Sequence, residues 1–60
     1  MKTTNKIRQY IQFREDELNS SALYQALAEI EKNTQLSELY RRMAATEKQH
    51  ADAWTKRIED

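Results

Sequence analysis

The 60-residue sequence contains no glycine, no proline and no cysteine. Without glycine the tightest turns cannot form, and without proline nothing forces a break in a helix. Without cysteine, neither a disulfide framework nor a thiolate zinc site can stabilise so short a chain. Net charge is also lacking: ten Lys and Arg balance ten Asp and Glu. Phosphate binding needs a basic footprint, so nucleic acid is excluded as the main partner. No apolar run approaches the roughly 20 residues of a membrane span, and no signal-peptide hydrophobic stretch opens the chain. No membrane contact by this segment is expected.

These absences leave a stability problem. A chain of this size buries only roughly 60 % of its unfolded surface, so a lone monomer is marginal. Hydrophobic residues make up 38 % of it and charged residues 33 %, a thin core for one domain. Oligomerisation or a bound metal are the remaining means of support.

What is present reads as nearly all helix. Residues 1–5 form a frayed start, with Thr3, Thr4 or Asn5 as N-cap. A first helix is predicted from about residue 5 to about residue 32. Its face reads Tyr10, Phe13, Glu17, Ser20 or Ser21, Tyr24, Leu27 or Ala28, and Glu31, and Glu17 interrupts it. The only plausible turn is Asn33-Thr34. Asn33 tolerates the left-handed conformation that ends helices and Thr34 can cap the next one; Asn33 as the cap is the alternative. A second helix follows from about 35 to 59. Its stripe is Leu36, Tyr40, Met43, Glu47, His50 and Trp54, widened by Leu39, Ala44, Ala51 and Ile58. Glu47 and His50 therefore point towards the expected core. The fold class is all-α, an antiparallel two-helix hairpin.

The register of that hairpin follows from counting. With the turn at Asn33, Glu17 lies about 24 Å before it, Glu47 about 21 Å after it and His50 about 25 Å after it, at 1.5 Å per residue. All three fall at one level. The same count pairs Tyr24 with Tyr40 nearer the turn and Tyr10 with Trp54 farther from it. A polar layer is expected between two aromatic ones.

Two carboxylates and an imidazole make an oxygen-and-nitrogen ligand set. It suits Fe(II), Mn(II), Co(II) or Zn(II) better than copper(I) or an iron–sulfur cluster, which want sulfur. Three ligands are half of a binuclear site, and one hairpin is half of a core. A homodimer answers both: two hairpins make a four-helix bundle with four Glu and two His at its centre. That inventory is the one of a di-iron carboxylate site.

Glu17, Tyr24 seven residues further on, and the run Glu47-Lys48-Gln49-His50-Ala51 resemble the ferritin and rubrerythrin superfamily. The segment at residues 24–33 and the ending H-A-D-A-W resemble one branch of it. These are the short rubrerythrin-like domains found in front of membrane domains of the vacuolar-iron-transporter type. The one-hairpin layout is also similar to encapsulated ferritins, which assemble di-iron sites across subunit interfaces. The resemblance covers roughly residues 10 to 58. It implies a binuclear iron site, with Mn, Co or Zn as substitutes, and a ferroxidase reaction serving iron storage, detoxification or delivery. Glu17 would be a terminal carboxylate ligand, Glu47 a bridging one and His50 a terminal nitrogen ligand, these three forming the catalytic set. Tyr24 would hydrogen-bond a ligand carboxylate from outside the ligand shell. Implied partners are a second copy or a higher homo-oligomer of dimers, with an encapsulating shell or a transporter domain in the parent protein. The implied setting is the cytoplasm or the inside of a protein compartment.

The sequence also departs from the superfamily. It has no four-cysteine module for electron supply, only one of a ferritin's two helix pairs, no membrane domain and no evident tail for docking into a capsid. It stops within a charged helical run, as expected of a domain excised from something longer. Blander readings accompany each residue. E-x-x-H alone is common on solvated helices, and a lone His on an apolar face is more often a satisfied core residue. Trp54, Tyr10, Tyr40, Met43 and Phe13 are most simply core. Glu31 reads as an end-of-bundle polar residue, with a secondary metal-uptake site as the alternative. Glu15, Asp16, Glu38 and Asp52 read as solvated. Burying carboxylates without a partner is expensive, and Lys48, Lys56 and Arg14 lie off the layer by helical phase. A metal-dependent assembly or sensing module with little turnover competes with the ferroxidase, and a metal-free oligomerisation hairpin competes with both. A hydrolytic H-E-x-x-H site is unsupported, because the second His is missing.

Overall fold

A computed structural model of the chain describes residues 3–60. The expectation of a frayed start at Met1 and Lys2 lies outside the described residues. Two helices, α1 (Thr4–Ile30) and α2 (Thr34–Glu59), form an antiparallel hairpin. Thr3 is the N-cap of α1: its backbone is extended and its hydroxyl accepts from the Lys6 N–H at 3.2 Å. This satisfies one of the amide donors that every helix start leaves open.

The turn differs from the expected one in its chemistry. No described residue has positive φ, so Asn33 does not end α1 in a left-handed conformation. Instead α1 stops at Ile30, and Glu31 turns extended (φ −77, ψ 122) while its N–H still bonds to the Leu27 carbonyl. The Glu31 carboxylate then accepts from the Asn33 N–H at 3.1 Å. Asn33 is the N-cap of α2, accepting at Oδ1 from the Leu36 N–H at 3.0 Å, and Thr34 is already helical. An Asn side chain relieves a stranded amide at a helix start, whereas a left-handed Asn would only reverse the chain. At the far end, Lys56 and Arg57 stand in the last turn of α2, where positive charge complements the helix dipole.

The helices meet along lines of residues spaced alternately three and four apart. On α1 the line is Ile7, Tyr10, Arg14, Glu17, Ser21, Tyr24 and Ala28; on α2 it is Ser37, Tyr40, Ala44, Glu47, Ala51, Trp54 and Ile58. The deepest positions on these lines lie seven residues apart: 21 and 28 on the first, and 37, 44 and 51 on the second. Ser21, Ala28, Ser37, Ala44 and Ala51 are the buried residues among those described. All are small, and small side chains let two helices approach at the short end of the usual 8–10 Å. Two hydroxyls use that closeness. Ser21 Oγ donates to the Ala44 carbonyl at 2.8 Å, and Ser37 Oγ donates to the Ala28 carbonyl at 2.7 Å. The pairs 21 with 44 and 28 with 37 fix the register.

This corrects the expected core. Tyr10, Tyr40, Met43 and Trp54 are only half-buried, and Phe13 is exposed. Two helices share one seam, and small residues fill it. The aromatic stripe lies beside the seam, on one flank of the hairpin. By helical phase the exposed Leu36 and Leu39 lie on that same flank, Leu23 and Ile30 on the side of α1 turned away from the seam, and Ile11 and Leu18 on the opposite flank.

Candidate metal centre

Glu17 stands midway along α1. Glu47 and His50 stand on successive turns of one face of α2. The hairpin brings them together: one ligand atom from each lies within 4.8 Å of the others. His50 Nδ1 is 3.4 Å from Glu17 Oε2 and 3.6 Å from Glu47 Oε1. An ion with bonds of about 2.0–2.2 Å to such atoms holds adjacent ligands roughly 3.0–3.6 Å apart. The spacing around the imidazole, and a set of two carboxylates and one nitrogen, therefore fit a divalent first-row metal.

The cluster does not point into a core, as the stripe had implied. The Glu17 and Glu47 side chains keep 24 % and 25 % of their exposure, and that of His50 keeps 53 %. The ligands stand at the margin of the seam because its centre is occupied by Ser21, Ala44 and Ala51. The aromatic layers bracket them as the register predicts. Trp54 packs on Tyr10 (ring centroids 5.2 Å apart) and on Phe13 (4.9 Å), and Tyr24 stacks on Tyr40 at 6.3 Å.

The two carboxyls share the strain of proximity unequally. A hydrogen bond from Glu47 holds Glu17 below the ordinary carboxyl range. Partial burial opposes this, and the His50 imidazole and a hydrogen bond with the Trp54 side chain assist it. Glu47 is raised, first because its protonated form is the one hydrogen-bonded to Glu17, then by burial and by the Glu17 charge. Opposite directions are expected for two carboxyls that cannot both ionise freely at close range.

Other singled-out residues fall elsewhere. Tyr24 lines a groove with Glu47, Met43 and Leu39, but within one chain its hydroxyl makes no hydrogen bond to a ligand carboxylate. Glu31 belongs to the turn, about 21 Å along α1 from Glu17, where it accepts from Asn33. Glu15, Asp16, Glu38 and Asp52 are exposed. Sequence reasoning passed over Arg57, which lines the same groove as Glu17 and His50. The available signal was its spacing, seven residues after His50 and three after Trp54.

The rubrerythrin family profile matches residues 4–60, nearly the whole chain. The chain belongs to the rubrerythrin family. Rubrerythrins are part of the ferritin-like superfamily and typically bind iron, and in this rubrerythrin hairpin Glu17, Glu47 and His50 form a cluster that could hold a metal ion. No curated protein and no solved structure matches the chain significantly. Among the described residues, no helix is long and apolar enough to cross a membrane.

Proposed function

We propose that two copies of this hairpin pack through their aromatic flanks into a four-helix bundle that binds a pair of iron ions and oxidises Fe(II). One observation carries the reading. Three ligands of the right chemistry converge on a flank that a single hairpin leaves open, and that flank is lined by Phe13, Leu36 and Leu39. A second copy covers the apolar surface and doubles the ligand set in one step.

In this reading Fe(II) is the substrate and O₂ or peroxide the electron acceptor, and bound iron supplies the Fe(II)/Fe(III) couple. The chain's own residues do the rest. Glu17, Glu47 and His50 hold the ions. Glu47 surrenders the proton it shares with Glu17 when metal arrives, because carboxylates bind metal deprotonated. Tyr10, Phe13 and Trp54 on one side, and Tyr24 and Tyr40 on the other, limit water access to the polar layer. The Fe(III) product then serves storage, detoxification or delivery.

The test is anaerobic addition of Fe(II) followed by air. Fe(III) absorbance should develop far faster than in buffer, and Glu17→Ala, Glu47→Ala and His50→Ala should each weaken Fe(II) binding by more than the about 10–100-fold typical of losing an outer-shell partner. If all three variants bind Fe(II) like the parent, the site is misassigned. The exposure of His50 favours a second reading, in which metal mainly bridges subunits. Tight binding with no faster oxidation would select it.

A further inference from the structure

The groove that holds Glu17 and His50 has a second, oppositely charged end. It encloses about 260 Å³ and is completed by Ala53, Trp54 and Arg57. Arg57 follows His50 by two helical turns on the same face. Its guanidinium carbon lies 5.0 Å from the centroid of the Trp54 ring. That ring is itself held by Tyr10 and Phe13, so the guanidinium rests on a fixed platform. Stacking uses the flat face of a guanidinium and leaves its in-plane N–H donors unspent. Among the described residues, Arg57 joins none of the ion pairs and none of the side-chain hydrogen bonds. The nearby carboxylates of Glu17 and Glu47 are engaged with each other and with His50 instead. Between the two ends stands Ala53, whose single methyl keeps the groove open.

We infer that Arg57 is the docking group for a small tetrahedral oxyanion, inorganic phosphate being the representative, which binds in this groove together with the metal. The inference rests on the metal-site reading above. A guanidinium fork engages two oxygens of a tetrahedral oxyanion side by side and leaves the others free to face the ligand end. Without metal, those oxygens meet the negative charge of Glu17 and Glu47, and the anion is repelled. With metal, that charge is neutralised and they face a cation instead. Anion and metal therefore favour each other, and by linkage each must raise the other's affinity by the same factor. Arg57 binds the anion and does not ligate the metal.

The experiment uses redox-inert Co(II), titrated calorimetrically into the full chain with and without inorganic phosphate. Phosphate should tighten Co(II) binding by about fivefold or more, the lower end of typical coupling between sites. Arg57→Gln should remove that gain, while its Co(II) affinity in phosphate-free buffer does not fall, since a neighbouring positive charge has gone. Arg57→Lys should keep part of the gain, retaining the charge but losing the fork. A full phosphate effect in Arg57→Gln, or none in the parent, overturns the assignment. A parent chain that binds no Co(II) refutes the metal-site reading itself, and the anion site falls with it.

Discussion

At the scale of residues, the centre of interest is the opposed pKa shifts of Glu17 and Glu47. The signs of the two shifts differ, and each has its own consequence for stability. Glu17 is lowered, so its contribution is present above the ordinary carboxyl pKa and is lost as pH falls through the lowered value. Glu47 is raised, so its contribution is present below the ordinary value and is lost as pH rises through the raised one. The metal-free protein should therefore be most stable in between, with one proton on the pair. Thermal melts of metal-free chain from about pH 4 to about pH 8 should show Tm falling on the alkaline side. Glu47→Gln, which keeps a hydrogen-bond donor but cannot ionise, should abolish that fall. Melts of parent and variant that run parallel across this range would mean that no proton is shared. The convergence of Glu17, Glu47 and His50 was legible in the sequence, because spacing sets their common level. Their unequal protonation was not, because it depends on which oxygen lies beside which.

At the scale of elements, the register was legible by counting from one turn, since a chain without glycine or proline has few places to bend. The centre of the seam was not. Aromatic and aliphatic residues dominate any hydrophobic pattern, yet Ala28, Ala44, Ala51, Ser21 and Ser37 occupy the contact. Periodicity shows that an apolar stripe exists; it does not show which edge of the stripe a neighbour touches. The seam makes a quantitative prediction. Ala44→Leu forces a large side chain between helices joined at that level by the Ser21 bond, and overpacking typically costs about 1–3 kcal/mol. Asn33→Ala removes only a cap, about 1 kcal/mol. For a domain this small 1 kcal/mol corresponds to a Tm shift of about 4–8 °C. Denaturant melts should rank Ala44→Leu as the more damaging. The reverse order would show that the turn, and not the seam, holds the hairpin together.

At the scale of the whole molecule, the hairpin is a rod. Its Cα extents are 48 × 13 × 10 Å and its radius of gyration is 14.1 Å, where a compact chain of this length would have about 10 Å. Among the described residues no large side chain is fully buried. Such a rod needs cover, and the two flanks offer different amounts of apolar surface. Under the proposed pairing, Leu39→Lys, on the flank of the Glu17–Glu47–His50 cluster, should weaken self-association by about tenfold or more, as expected for burying an unpaired charge. Leu18→Lys, on the other flank, should leave it nearly unchanged. Leu39 and Leu18 are both exposed in the hairpin, so sedimentation of these variants reports on assembly and not on folding. Equal effects from both would move the interface off the metal-ligand flank.

Composition and spacing alone determined that this chain is helical, that it folds back once, and that Glu17, Glu47 and His50 meet at one level. Those properties follow from a fixed rise per residue and from a sequence with one turn. Tertiary structure decided the rest: small residues in the seam, the aromatic stripe on a flank, the Glu17–Glu47–His50 cluster at a half-open margin, and Arg57 at the far end of its groove. Each depends on how far one helix is rotated against the other. Close packing sets that angle, and the pattern of a single helix carries no record of it.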